Sequence, residues 1–195
     1  MGFRAFIANT YLRFSSWTFV HDETPQKFVM IGAPHTSYMD GVLMVAAFWK
    51  TGLPLHFLVK DSAAKIPVIG WIIKKVGGLA VERSHHHGMV DQVVEQANAS
   101  DAFSIVLAPK GTRAKKDYWK SGFYHIALGA HIPVVLGFID STTRTFGWGP
   151  AVMMTGDAHA DMERLRAFYR GKQGIHPEKT SVPRLKEELK EEQGD

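Results

Sequence analysis

Apolar residues recur at helical spacing through the start of the chain. Phe3, Phe6, Ile7, Tyr11, Phe14 and Trp17 fall on one face, with Arg4 and Arg13 at its margins. This predicts an amphipathic helix over 3–17, either packed on the body of the domain or lying in a bilayer interface, and the two placements are compatible. Beyond it, short apolar runs alternate with longer helical ones. Phe28-Val29-Met30-Ile31 reads as a strand, 38–50 as a helix, and Leu55 to Val59 as a strand after the turn residues Gly52 and Pro54. The segment 66–75 is apolar with basic ends and is broken by Pro67 and Gly70. It suits either core packing or a short hairpin or helix that touches a membrane. Gly77-Gly78 leads into a strand at 79–81. A helix at 88–99, a buried strand at 103–107, a helix at 122–130, a strand at 133–138 with a hairpin partner inside 143–155, and a helix at about 160–170 come next. The segment 182–193, with Ser181 as N-cap, Pro183 in its first turn and alternating Glu and Lys, predicts a solvated helix.

Strands alternating with helices argue for an α/β fold, a single domain with a mainly parallel or mixed central sheet flanked by helices. The expected organisation is an N-terminal amphipathic helix within 1–20 and one domain over 21–195. A chain of 195 residues can bury about 70% of the surface its unfolded form would expose, enough for one core. Polar residues at strand ends, such as His35 and Arg113, line the usual ligand crevice of such sheets.

Charge adds a constraint. The net +4 is gathered in two central segments. Between residues 60 and 83 stand Lys60, Lys65, Lys74, Lys75 and Arg83 against Asp61 and Glu82; between 110 and 120 stand Lys110, Arg113, Lys115, Lys116 and Lys120 against Asp117. Such clustering points to a polyanionic ligand or an anionic surface, with nucleic acid, nucleotide cofactor and phospholipid all fitting the charge. The absence of cysteine excludes disulfides, thiol nucleophiles and thiolate metal sites, and fits a reducing compartment. No apolar run reaches the ~18 residues of a membrane span, and the N-terminus has neither an uninterrupted signal-peptide core nor the Ser or Thr of a myristoylation signal at Phe6.

The chemistry centres on Ala33-Pro34-His35-Thr36-Ser37-Tyr38-Met39-Asp40, at a strand-to-helix junction. A neutral imidazole accepts a hydroxyl proton near pH 7, and a carboxylate on its other nitrogen fixes the tautomer and stabilises the imidazolium. Equally, Ser37-x-x-Asp40 is an acceptable capping box, so spacing alone leaves both readings open. His85-His86-His87 is read as a solvated loop, because three adjacent side chains cannot face one ion from a regular element; no metal is expected.

Four motifs in order resolve that choice. His35-x4-Asp40 is followed by Gly77-Gly78-Leu79-Ala80-Val81-Glu82-Arg83, by Pro109-Lys110-Gly111-Thr112-Arg113 after a buried strand, and by Ile132-Pro133-Val134-Val135. Lys120-Ser121-Gly122-Phe123 adds a lysine-then-glycine start of a helix. Over residues 35–136 the chain resembles the glycerolipid acyltransferase family, the lysophospholipid and 1-acylglycerol-3-phosphate acyltransferases. The resemblance implies His35 as general base, typically a factor of about 10²–10⁴ in rate, with Asp40 as its orienter. It implies Arg83 and Arg113 as clamps on an acceptor phosphate, with Lys110, Gly111, Thr112 and Lys120 in the same acceptor-binding set.

The expected substrates are a fatty acyl thioester, acyl-CoA or acyl carrier protein, and a lysophospholipid such as 1-acylglycerol-3-phosphate. No metal or bound cofactor is implied, and no nucleic acid. The expected location is peripheral, at the cytoplasmic face of a membrane. Three positions depart from the family pattern: Lys110 stands where the motif has glutamate, Pro34 where asparagine precedes the histidine, and Leu136 where the fourth motif has a later proline. The lysine either favours a more anionic acceptor or removes a structural contact and activity with it. The second outcome would leave a lipid-binding or membrane-tethering protein on the same fold.

Overall fold

The computed structural model describes residues 2–60, 65–75, 78–81 and 86–191. In chain order these form α1 (Phe3–Phe14), β1 (Thr18–His21), β2 (Lys27–Ala33), α2 (Met39–Thr51), β3 (Phe57–Lys60), α3 (Pro67–Lys75), β4 (Gly78–Val81), α4 (His86–Ala99), β5 (Phe103–Leu107), α5 (Gly122–Ala130), β6 (Val134–Asp140), β7 (Thr145–Val152), α6 (Ala158–Tyr169), a 3₁₀ turn at Pro177–Lys179 and α7 (Glu188–Glu191). The strands make one sheet in the order β1-β7-β6-β2-β5-β3-β4. Among the described residues, the β6–β7 pair is antiparallel and the other pairs run parallel.

Two largely apolar runs sit next to each other at the centre. β2 is buried along nearly its whole length and so is β5, as expected of parallel strands covered on both faces. Alternate residues feed two cores. Val29, Ile31, Ile105 and Leu136 pack under α4, α5 and α6, whereas Phe28, Met30, Val106 and Val135 pack under α2.

Three expectations change. The N-terminal helix stops at Phe14, because Ser15 turns into extended conformation and the chain enters β1, a strand the sequence pattern had not shown. Its aromatic stripe splits: Phe3, Phe6 and Phe14 are exposed, while Tyr11 and Trp17 pack against the second core and Ala8 allows close approach. β1 can lie beside β7 because Gly147 has φ 146° and carries no Cβ; a Cβ there would fall 1.7 Å from the Val20 carbonyl. The second change is at His86 and His87, which open α4 rather than lie in a loop; His85 is outside the described residues.

The third change is at the C-terminus. Instead of a solvated helix over 182–193, the chain has no regular secondary structure over 182–187 and is helical at Glu188–Glu191, with 192–195 outside the described residues. The expected cap Ser181 accepts a bond from the Lys116 amide (2.9 Å) instead. Leu185 is fully buried in the first core, and Glu188 accepts from the Leu185 amide (2.6 Å) and the Arg166 guanidinium (2.7 Å). Burying the leucine and pairing the glutamate outweighs the helical pattern of a charged surface.

Leu185→Ala is therefore expected to cost about 2–5 kcal/mol in urea unfolding. Val182→Ala, at a side chain 58% exposed, should stay within about 0.5 kcal/mol. Equal small effects would favour a solvated helix.

A buried carboxylate makes a second prediction. Asp161 accepts from the Tyr124 hydroxyl (2.9 Å), the Thr155 amide (2.8 Å) and hydroxyl (3.0 Å), the Gly156 amide (3.3 Å) and Arg164. Burial works to raise its pKa, but the bonds from Thr155, Arg164 and Tyr124 hold it below the ordinary carboxylate value. A depressed folded pKa gives stability that is present above the unfolded value of about 3.9 and is lost as pH falls through the folded one. Asp161→Asn should lower the urea midpoint at pH 7 and flatten its decline below about pH 4.

Candidate active site

β2 and β5 pair in parallel with Ile31 opposite Leu107, so the segments that leave them, 34–40 and 108–113, emerge side by side at one sheet edge. The first segment turns tightly into α2. Asp40, in the first turn of α2, receives the amides of Thr36 (2.7 Å) and Ser37 (2.9 Å) on Oδ2, and the Met39 amide bonds Ser37 Oγ (3.2 Å). Half of a capping box is thus formed. The same Oδ2 lies 3.2 Å from His35 Nδ1. Capping and pairing with the histidine are done by one carboxylate, so the two readings of Asp40 are compatible. With Nδ1 directed at Asp40, Nε2 is the nitrogen left for a ligand, and the His35 side chain is 23% exposed where it borders a cavity.

That cavity has a volume of about 850 Å³. One part of its wall is apolar, from Leu58, Val90, Val106, Leu107, Phe123 and Ile126 of β3, α4, β5 and α5. The other part is polar, with His35, Thr112, Arg113, Lys120, His125, Lys186 and Glu187. A wall divided this way suits a ligand with a charged head and an apolar body.

The structure brings together most of the predicted residues. Gly111 has φ 63° and lies against the stem of Lys120, whose Cε would be 3.0 Å from a Cβ at that position. Thr112 and Arg113 line the cavity, with the Arg113 guanidinium 3.6 Å over the Tyr38 ring. That stacking holds the guanidinium beside the dyad loop. Arg83 lies outside the described residues. Lys110, expected beside the acceptor, is 5% exposed and is not among the residues that line the cavity. Its ammonium donates to the Lys179 carbonyl at 2.7 Å. Burial pushes its pKa down, Asp40 draws it back up, and Lys179 adds to the lowering.

Several site residues were not legible in the sequence. The 3₁₀ turn packs on the dyad loop: the His176 amide donates to Thr36 Oγ1 (3.1 Å), and a Cβ at Gly174 would sit 2.5 Å from the Thr36 side chain. Further along, Glu187 lies 3.6 Å from His125. Burial raises its pKa, but Ser121 and the charge of His125 hold it low. Glu187 lay in a segment read as a solvated helix, and Gly174 and His176 in a stretch to which no element was assigned, so neither contact gave a signal; Thr36, inside the dyad stretch, was the one member within sight. Among the described residues there is no cluster of three or more potential metal ligands and no helix long and apolar enough to cross a membrane.

Both the fold and the sequence have known relatives. The fold resembles the crystal structure of the 1-acyl-sn-glycerophosphate (LPA) acyltransferase PlsC from Thermotoga maritima, with a TM-score of 0.52 at 15% identity over 75% of this chain and 65% of that one. In sequence the chain is 28% identical over 134 residues, 64% of its length, to a lysophosphatidylcholine acyltransferase of Drosophila melanogaster. It is 29% identical over 127 residues, 60% of its length, to the lysophospholipid acyltransferase LPEAT1 of Arabidopsis thaliana. It spans 24% and 30% of the length of those two relatives. The family described as Acyltransferase matches residues 18–136, the range that holds His35, Asp40, Arg113 and Lys120, and the chain belongs to that family.

Proposed function

We propose that the chain transfers a fatty acyl group from a thioester of CoA or acyl carrier protein to a hydroxyl of a lysophospholipid, with 1-acylglycerol-3-phosphate as the leading acceptor. The observation that carries the reading is the 3.2 Å pair of His35 Nδ1 and Asp40 Oδ2 at the edge of a half-apolar cavity. His35 Nε2 takes the acceptor's hydroxyl proton as its oxygen attacks the thioester carbonyl, forming the C–O bond. Asp40 stabilises the imidazolium. Collapse of the tetrahedral intermediate breaks the C–S bond, and the imidazolium returns the proton to the leaving thiolate. Arg113 and Lys120, with Thr112 and Gly111 of the same wall and Arg83 from the second motif, are proposed to hold the acceptor phosphate, for which guanidinium groups suit bidentate contact. The named activities of the fly, plant and Thermotoga proteins all lie within this substrate class.

The test is thioester consumption with a panel of lysophospholipid acceptors. His35→Ala should lose about 10²–10⁴ in kcat. Asp40→Asn should also fall, by less. Variants that keep the native rate would remove the dyad from the mechanism. Vesicle binding without turnover on any acceptor would leave a lipid-binding protein.

The same reading needs a lipid surface, since exposing an acyl chain to water costs about 0.8 kcal/mol per CH₂. Phe3, Phe6 and Phe14 of α1, Tyr38 and Met39 beside the dyad, and Val68 and Trp71 of α3 are all exposed. These elements adjoin: the Tyr11 hydroxyl meets Met39 Sδ at 3.4 Å and Arg4 donates to the Lys75 carbonyl at 3.0 Å. Lys75 Nζ lies 5.0 Å from the Trp71 ring centre, giving the apolar rim a basic margin suited to an anionic, cytoplasmic leaflet. Replacing Phe3, Phe6 and Trp71 by serine should weaken binding to anionic vesicles about tenfold or more, while turnover of a short, water-soluble thioester is kept.

A further inference from the structure

Lys110 is a buried cation at a place where the resemblance predicted glutamate, and its side chain is tied inside the protein. It leaves the loop after β5, remains 5% exposed and donates to the Lys179 carbonyl at 2.7 Å. That carbonyl is fixed by the 3₁₀ turn, in which the Lys179 amide donates to the His176 carbonyl (3.0 Å) and the Thr180 amide to that of Pro177 (3.0 Å). The same turn grips the dyad loop through the bond from the His176 amide to Thr36 Oγ1. Lys110 and the dyad loop are therefore held by one element, and that element lies beyond the matched family range of 18–136.

Asp40 supplies the second observation. Its Oδ2 is fully engaged, but Oδ1 is buried and has no hydrogen-bond partner among the described residues. A buried carboxylate oxygen without a donor is costly unless positive charge stands near. The β2–β5 register and the turn that bonds both segments bring Lys110 to the dyad loop, and the Asp40 charge acts on it although no direct bond joins them.

We propose that Lys110 is a positioning residue of the dyad: its ammonium, anchored on the Lys179 carbonyl, is the counter-charge of Asp40 and sets the charge balance behind His35. The inference rests on the proposed function for its catalytic meaning, but not for its physics. In this chain the lysine turns inward to the Lys179 carbonyl and does not line the cavity. The glutamate of the family motif at position 110 would set two carboxylates against each other, so the substitution changes the electrostatics behind the histidine.

The other charged groups near His35 are Arg113, stacked on Tyr38; Lys120, His125, Lys186 and Glu187 around the cavity; and His176, Glu178 and Lys179 of the turn, with His176 and Glu178 3.9 Å apart. A substitution that keeps the bond to the Lys179 carbonyl should leave the turn and these groups in place, which separates the charge of Lys110 from its anchoring role.

The test is an NMR titration of the His35 imidazole in the full chain, assigned with His35→Gln. Lys110→Gln keeps a donor for the Lys179 carbonyl and removes the charge. It should raise the proton affinity of His35 about threefold or more, with Lys110→Glu raising it further and Lys110→Arg restoring the native midpoint. The acid limb of the kcat/KM profile should move up by the same amount. Lys110→Met, which also loses the donor, need not fold; the Gln and Arg variants suffice. A midpoint unmoved in Lys110→Gln overturns the proposal. Because the titration needs no turnover, a native chain that transfers no acyl group would refute the function while the charge coupling is decided independently.

Discussion

The parallel pairing of β2 with β5 on one side and β6 on the other is the constraint on which the site depends. It places three largely buried strands at the centre of the sheet, so their register is fixed by packing on both faces. A one-residue slip would exchange Val29 and Ile31 with Phe28 and Met30 between two differently shaped cores. With Ile31 opposite Leu107, Pro34-His35 and Pro109-Lys110 leave the sheet as neighbours. The proximity of a histidine from one motif and cations from another, far apart in sequence, is a consequence of that register.

Asp40 shows how local and tertiary demands meet on one side chain. A carboxylate in the first turn of α2 is favoured by the helix dipole and by the Thr36 and Ser37 amides, independent of any reaction. Because those bonds fix Oδ2, the histidine that precedes the turn finds a rigid partner, and its tautomer is set before a substrate arrives. The cost falls on Oδ1, enclosed where no donor among the described residues reaches it. Positive charge behind the dyad is the physical answer to such a group, and Lys110 is a buried cation on which the Asp40 charge acts.

Much of this was legible in the sequence for a definite reason. β5 and α5 begin and end where their apolar patterns do, because both are enclosed and their periodicity is undiluted. β1 was missed because it is a four-residue edge strand, largely exposed, whose pairing depends on the absence of a side chain at Gly147, far along the chain. The C-terminal segment was misread because alternating Glu and Lys suit a helix, and nothing local marks Leu185 as a core residue or Glu188 as the partner of Arg166. Lys110 was read through its motif as a ligand contact; a sequence cannot show that a lysine stem will turn inward toward a carbonyl 69 residues away.

The division of the chain between matched and unmatched ranges has a mechanistic consequence. Residues 18–136 contain the dyad, Arg113 and the apolar wall, and end inside β6. The chain beyond residue 136 supplies the turn that grips Thr36 and anchors Lys110, and then Lys186 and Glu187 at the cavity. Glu187 brings a carboxylate held in its charged form to the same wall as Arg113 and Lys120. On the proposed reading, an anionic headgroup must be accommodated beside that charge, so its fit depends on where the C-terminal segment lies. On that reading the chemistry of transfer and its electrostatic setting come from different parts of the chain, joined through Lys110 and Thr36, and the choice of acceptor belongs to the tertiary fold rather than to the motifs alone.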